Sequence, residues 1–199
     1  MRDLLSKVLY GSSLPQGSND GSQILSIRAS PQDGNLFHVV PDNAPSQAPP
    51  LYSITKRDSK PNYIVSRGFP APDNTVATAA MHVSSTTVDL SVHNQPMVLK
   101  TSGFSENFSF ETPHMGKFKW KPNQLTGSSY ELYDQTGRKL AKFGSAGITR
   151  MGEKQLTIFV PCDEFFTVTI VLSIVSLKEL NKITEKVAGK IIGEVVGGI

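Results

Sequence analysis

An uncharged apolar run at residues 165–177, FFTVTIVLSIVSL, constrains this chain more than any other feature. The run is apolar on every side, so it has to lie in an apolar environment. A strand is usually about 5–6 residues long, whereas a continuous apolar stretch of about 13 residues suits a helix that is buried all round. A membrane helix is the alternative, although a span needs about 20 apolar residues. We therefore predict a helix buried in the core of the protein.

Both ends of this run carry the signals of helix ends. Asp163 is suited to cap the N-terminus, with Glu164 in the first turn and Pro161 just before it. Lys178 and Lys182 lie toward the C-terminal end, where cations interact favourably with the helix dipole. The run is rich in β-branched residues, which favour strands. Its length and its ends nevertheless favour the helix.

The chain upstream of the run resembles a series of short strands, several of which alternate between apolar and polar residues. A content of 16 Gly and 13 Pro fits a protein rich in turns. About ten short strands indicate a sandwich or a barrel, and closure into a barrel removes exposed strand edges. We predict a mainly β protein, a closed antiparallel β-barrel around the apolar helix. The candidate strands are residues 51–55, 63–66, 76–82, 86–92, 97–100, 108–110, 117–121, 130–133, 140–143 and 155–160.

The chain divides into three parts by composition. With 199 residues and 38% hydrophobic content it can bury one substantial core. Residues 1–50 form a low-complexity segment that ends in a proline-rich linker, 41–50, and residues 51–181 form the barrel with its helix. Two apolar islands before the linker, 24–27 and 36–40, pair as a hairpin or add to the sheet.

The remaining part, residues 182–199, forms an amphipathic tail. Apolar residues recur at every fourth position, which is a helical pattern. Glycines recur beside them and permit close approach of another helix. The tail docks on the barrel, on a partner helix or on a membrane surface, or it frays as chain ends commonly do. The apolar positions are Ile183, Val187, Ile191, Val195 and Ile199, and the glycines are Gly189, Gly193 and Gly197.

The sequence offers little for catalysis or for metal binding. The histidines are scattered and lack partner cysteines, so we expect no metal site. Cys162, the one cysteine, precedes the apolar helix, and we interpret it as a buried structural thiol rather than a nucleophile. No phosphate-binding loop, dinucleotide-binding motif or nucleophile elbow is present. We therefore expect no enzymatic activity and no cofactor. The histidines are His38, His82, His93 and His114.

The net charge and the cysteine content limit the classes of binding partner and the cellular compartment that we expect. A net charge of +3 at pH 7 is too small to indicate nucleic-acid binding. One cysteine excludes an intramolecular disulfide framework and fits a reducing compartment. No secretory hydrophobic region follows Met1. We expect a cytoplasmic protein that can be peripheral at membranes.

A basic cluster is the best lead to function. If 117–121 is a strand, Phe118 and Trp120 face inward and three lysines face outward. The hairpin that follows adds three more basic residues. Residues 116–142 thus contain six basic residues and two acids, a local net charge of +4. Such a face suits anionic lipid headgroups or phosphates. The alternative is that the lysines keep the barrel soluble and discourage strand addition. The six residues are Lys117, Lys119, Lys121, Arg138, Lys139 and Lys142.

Four stretches carry a resemblance to a known family. They are 116–121 (GKFKWK), 130–134 (YELYD) with 137–143 (GRKLAKF), 155–158 (QLTI) and the final hydrophobic helix. In these the chain resembles the tubby C-terminal-like superfamily, closest to its fungal uncharacterised members, which are related in fold to LURP-one and phospholipid scramblase-like proteins. The likeness covers about residues 51–181.

The resemblance implies an antiparallel barrel of about twelve strands around a central hydrophobic helix. That is about two strands more than the candidates above, and the two islands or unrecognised short strands would supply them. It also implies phosphoinositide binding, as in tubby proper, and no established enzyme chemistry. We therefore predict a non-enzymatic module that binds lipid surfaces, with phosphoinositides as one candidate ligand. The alternative is a structural or protein-interaction barrel without a lipid ligand, whose partner binds the C-terminal tail.

Overall fold

The computed structural model describes residues 22–45, 47–82, 84–102, 105–123, 129–150 and 152–196. Residues 1–21 of the predicted low-complexity segment and residues 197–199 of the predicted tail lie outside this part of the chain. The described residues form twelve β-strands, two short 3-10 turns and a long α-helix, α1. The strands are β1 (Gln23–Ala29), β2 (Leu36–Pro41), β3 (Tyr52–Lys56), β4 (Tyr63–Arg67), β5 (Thr75–His82), β6 (Thr87–Val92), β7 (Gln95–Ser102), β8 (Ser105–Thr112), β9 (Gly116–Pro122), β10 (Tyr130–Asp134), β11 (Lys139–Ser145) and β12 (Lys154–Ile158), and the helix is α1 (Glu164–Val196).

The strands close into an antiparallel barrel in which each strand pairs with its neighbours in sequence. The barrel closes where β1 pairs with β12, with Gln23 opposite Ile158 and Ile27 opposite Lys154. The predicted closed antiparallel barrel is therefore confirmed. The ten candidate strands correspond to β3–β12. The two apolar islands form β1 and β2, which pair with each other, so the barrel includes two strands upstream of Leu51.

Helix α1 passes through the barrel and fills its interior. Ile170, Val171, Leu172 and Ile174 have no exposed surface, which confirms the predicted core helix. The Asp163 carboxylate caps the N-terminus by accepting a hydrogen bond from the Phe166 backbone N–H at 2.8 Å. The helix continues to Val196, well beyond residue 177 and without interruption into the predicted tail. Among the described helical residues, none forms a segment long and apolar enough to cross a bilayer.

The threonine hydroxyl groups near the start of α1 are satisfied by the helix itself. Those of Thr167 and Thr169 donate to the backbone carbonyls of Asp163 and Phe165, one turn earlier, at 2.8 and 2.7 Å. This local bonding removes the cost of burying a hydroxyl among apolar side chains. The β-branched residues of the run are therefore compatible with a buried helix.

Inside the barrel, α1 lies closest to β4, β5 and β6. The small side chains of Ala77 and Ala79 on β5 are buried and leave room for the helix backbone to approach. Aromatic residues of β8 and β9 supply bulk elsewhere in the core, including Phe108, Phe110 and Trp120. Unequal residue sizes around the barrel thus set the position of the helix, because interiors pack without large voids.

Ion pairs hold α1 at both ends of the barrel. We call the end where α1 begins the upper rim and the end where it leaves the lower rim. At the upper rim Arg67 donates two hydrogen bonds to Glu164, from Nε to Oε1 at 2.8 Å and from Nη2 to Oε2 at 2.5 Å. These bonds are the main cause of the lowered pKa of Glu164. At the lower rim Lys56 Nζ lies 2.7 Å from Glu179 Oε1.

Candidate functional site

The basic strand β9 separates its side chains as its alternating sequence predicts. Phe118 and Trp120 are buried in the barrel, and Lys117 and Lys121 are exposed on the outside. Lys119 is half-buried on the same outer side, between two flanking strands. Successive lysines on this side of the strand are about 7 Å apart. The strand therefore presents a line of three cations outward.

Strand pairing extends this line into a row across the sheet. Lys119 lies opposite Ser109 of β8 on one side and Tyr133 of β10 on the other. Beyond these, Lys100 of β7 lies opposite Ser109, and Lys139 of β11 lies opposite Tyr133. Adjacent strands are about 4.8 Å apart, so Lys100 and Lys139 each lie two strand spacings from Lys119. Lys100, which the sequence analysis missed, therefore belongs to the same surface.

A second row carries an acid between two bases. Glu131 of β10 lies opposite Lys121 on one side and opposite Lys142 on the other. Its carboxylate accepts hydrogen bonds from Lys139 Nζ and from the Tyr133 hydroxyl, each at 2.6 Å. The bond from Lys139 is the main cause of the lowered pKa of Glu131. Lys121 Nζ lies 4.7 Å from the centre of the Tyr133 ring, a cation–π contact.

These rows define one basic surface, which we call the lysine face. Among the side chains that the structure describes, its acids are Glu131 and Glu111, the latter opposite Lys117. The Glu131 charge is offset by Lys139, so most of the cationic charge remains available on the outer surface. The summed charge of the face produces a positive potential, which attracts anionic groups. Its members are Lys100, Lys117, Lys119, Lys121, Lys139 and Lys142.

Arg138 lies apart from the lysine face, in the turn between β10 and β11. Asp134 Oδ1 accepts the backbone N–H groups of Thr136 and Arg138 at 2.8 and 3.0 Å, and Gly137 has a φ of +84°. Gly137 thus supplies the left-handed residue that this turn requires. Arg138 lines a cavity of about 600 Å³ at the upper rim. The structure therefore brings together five of the six predicted basic residues.

Cys162 lines the same cavity and is buried. Its Sγ lies 3.1 Å from Thr167 Oγ1. Burial raises the pKa of the thiol above its usual range, and the nearby Asp163 carboxylate adds to this effect. A thiol in this state is a weak nucleophile at neutral pH.

The fold thus defines a class, the closed antiparallel β-barrels with a helix through the interior. No family model and no curated protein matches the chain. An X-ray structure of a protein from Arabidopsis thaliana is similar to it, with a TM-score of 0.55 and 13% sequence identity. The match covers 81% of this chain and 93% of that one. At this identity the likeness shows a shared fold, which by itself does not define a function.

Proposed function

We propose that this chain is a non-enzymatic module of tubby-like fold that binds anionic lipid surfaces through the lysine face. The observation that carries the proposal is that six lysines and, among the described side chains, two glutamates lie on the outer sides of β7–β11. Phosphoinositides are one candidate ligand, because their headgroups carry several phosphates. The protein would be cytoplasmic and peripheral at membranes.

The geometry favours a lipid surface over a single small anion. The lysines lie on alternate strands, β7, β9 and β11, about 7 Å apart along β9 and about 10 Å apart across the sheet, so they can contact several headgroups together. Each basic residue near an anionic membrane contributes about 1 kcal/mol. The resemblance to tubby-like proteins supports the same assignment, and the shared fold with the Arabidopsis structure is compatible with it.

We predict that Lys117→Gln/Lys119→Gln/Lys121→Gln weakens binding to phosphoinositide-containing liposomes about 100-fold, because three contributions of about 1 kcal/mol are lost. The variant should unfold at nearly the wild-type denaturant concentration, since surface substitutions usually have small effects on stability. Sedimentation with liposomes at two salt concentrations measures the binding, and wild-type binding should fade at the higher salt.

A matched control separates the lysine face from net charge. Lys119→Gln/Lys121→Gln and Arg57→Gln/Lys60→Gln remove the same charge, but Arg57 and Lys60 follow β3, six strands from β9 in the barrel order. Only the first pair should weaken binding. Equal weakening by both pairs, or wild-type binding by the folded triple variant, would refute the lysine face as the site.

A protein-interaction role is the second candidate, favoured by the continuation of α1 to Val196. A helix of 33 residues is about 50 Å long, whereas strands of 5–8 residues span about 17–27 Å. The C-terminal part of α1 therefore extends past the barrel, and its apolar residues recur every fourth position. Absence of wild-type binding to every anionic liposome would favour this role.

A further inference from the structure

Another cavity, of about 700 Å³, opens at the lower rim where α1 leaves the barrel. Its apolar wall is formed by Ile27, Phe37 and Phe143 from the strands and by Val175 from α1. Ile27 and Phe143 are buried, and Phe37 and Val175 are half-buried against the core. A volume in this range is typical of pockets for small ligands, which hold about 300–1,000 Å³.

The mouth of this cavity is basic. Lys154 from β12 and Lys178 and Lys182 from α1 line it. Within the described part of the chain, none of these three lysines forms an ion pair. Lys178 and Lys182 are four residues apart on one helix face, where like charges repel. A bound anion would relieve this repulsion.

The acids at the mouth offset only part of this charge. Glu179 forms an ion pair with Lys56 at 2.7 Å, so its charge is already balanced. Tyr63 also interacts with Glu179, and burial together with this carboxylate raises the pKa of the Tyr63 hydroxyl. Glu185 is exposed and lies further along the helix, nearly two turns beyond Glu179. The mouth therefore carries three lysines and one acid, Glu185, that forms no ion pair with the described residues of the rim.

The groups that would meet a ligand are held in place before it binds. Lys178 Nζ lies 5.2 Å from the centre of the Tyr130 ring, a cation–π contact. Asn181 Nδ2 donates to the Tyr130 hydroxyl at 2.7 Å, which ties this ring to α1. Such preorganisation reduces the entropy that a ligand must overcome on binding.

We propose that the cavity at the lower rim binds an anionic single-chain amphiphile. Its apolar chain would lie against Ile27, Phe143 and Val175, and its carboxylate or phosphate between Lys178 and Lys182. The apolar wall behind a basic mouth carries this inference, because such a site complements a ligand with one apolar and one anionic end. The site is separate from the lysine face and does not depend on membrane binding there.

The test titrates the purified full chain with oleate and with lysophosphatidate, each below its micelle concentration, by calorimetry. We expect saturable binding of one molecule per chain by at least one of them, and the stronger ligand identifies the headgroup. Oleyl alcohol, which lacks the charge, and inorganic phosphate, which lacks the chain, should bind at least about tenfold more weakly.

Two variants localise the site. Lys178→Gln/Lys182→Gln should weaken binding of the stronger ligand at least about tenfold, as expected for loss of charge-assisted contacts. The triple-Gln variant of the lysine face should bind it as the wild type does. No saturable binding of either amphiphile, or wild-type affinity in folded Lys178→Gln/Lys182→Gln, would overturn the proposal. Loss of amphiphile binding in the triple-Gln variant of the lysine face would also overturn it. Binding to liposomes tests the lysine face alone and is independent of this proposal.

Discussion

The indole of Trp120 shows how a polar atom is accommodated in the barrel core. Trp120 is the one tryptophan of the chain and has no exposed surface. Its Nε1 donates to Ser173 Oγ of α1 at 3.0 Å, and the Ser173 hydroxyl donates to the Ile170 carbonyl at 3.0 Å. These bonds link strand β9 directly to the helix. The serine inside an otherwise apolar run therefore has a structural role.

We predict that Ser173→Ala lowers the free energy of unfolding by about 1–3 kcal/mol, because it leaves the buried indole N–H without an acceptor. Ser176→Ala is the matched control. The Ser176 hydroxyl is also buried, but among the described residues it has no hydrogen-bond partner, so its removal should be neutral or stabilising. Chemical denaturation measures both variants, and equal destabilisation would contradict the assigned role of Ser173.

Asp42 is expected to make stability depend on pH. It accepts hydrogen bonds from Arg150 Nη1 and from the Ser26 hydroxyl, each at 2.6 Å. The bond from Arg150 is the main cause that lowers the pKa of Asp42 from 3.8 to about 2. Because the folded state favours the ionised form, this stabilisation is present above pH 4 and is lost as pH falls toward 2.

The melting temperature of the wild type and of Asp42→Asn, followed from pH 7 to pH 2, measures this contribution. The variant should melt at a lower temperature at neutral pH. The difference should shrink below pH 4, because the wild-type carboxyl then becomes protonated. A difference that stays constant over the whole range would show that the ionised carboxylate does not contribute.

At the scale of elements, helix α1 is the core of the barrel. We predict that Val171→Asp or Ile174→Asp unfolds the protein, because an unpaired buried charge costs several kcal/mol against a total stability of about 5–15 kcal/mol. Thr184→Asp, at an exposed position of the same helix, should stay folded. Circular dichroism measures the three. Two results together would contradict the core helix and favour a membrane helix: folded Val171→Asp and Ile174→Asp variants, and a wild-type chain that is extracted only with detergent.

Side-chain alternation could be predicted from sequence, whereas neighbours across strands could not. Phe118 and Trp120 face inward as predicted, because a strand has a period of two residues whatever its partners are. Lys100 was missed because its place beside Lys119 depends on the pairing of β7 with β8 and of β8 with β9. Arg138 directly precedes Lys139 in the sequence, and only the folded chain shows that it lines the cavity at the upper rim.

The end of helix α1 and the formation of strands β1 and β2 also depend on the rest of the fold. The uniformly apolar run stops at residue 177, yet the helix continues to Val196 because an amphipathic segment can extend a helix that is already formed. The islands at 24–27 and 36–40 are short and surrounded by polar residues. They become strands because β12 and β3 supply the partners that a two-stranded hairpin lacks.

At the scale of the whole molecule, closure of the barrel requires β1 and β2. A chain that starts at Leu51 would lack both strands and would leave β12 and β3 with open edges. We predict that this shortened chain aggregates, because unpaired strand edges are sites for intermolecular pairing. Size-exclusion chromatography and circular dichroism, with the full chain as control, measure the outcome. A monodisperse, folded chain of residues 51–199 would show that closure by β1 and β2 is dispensable.

The position of α1 after all the described strands has a consequence for synthesis on the ribosome. A nascent chain that has exposed β12 but not yet residue 165 contains every strand of the barrel and nothing to fill its interior. The contact that closes the barrel joins Gln23 to Ile158, which are far apart in sequence, and contacts of this kind form slowly. Until the helix is available, strands with exposed apolar faces are prone to associate with other chains. We therefore expect the barrel to complete its folding only after the helix has emerged, with the strands open to association until then.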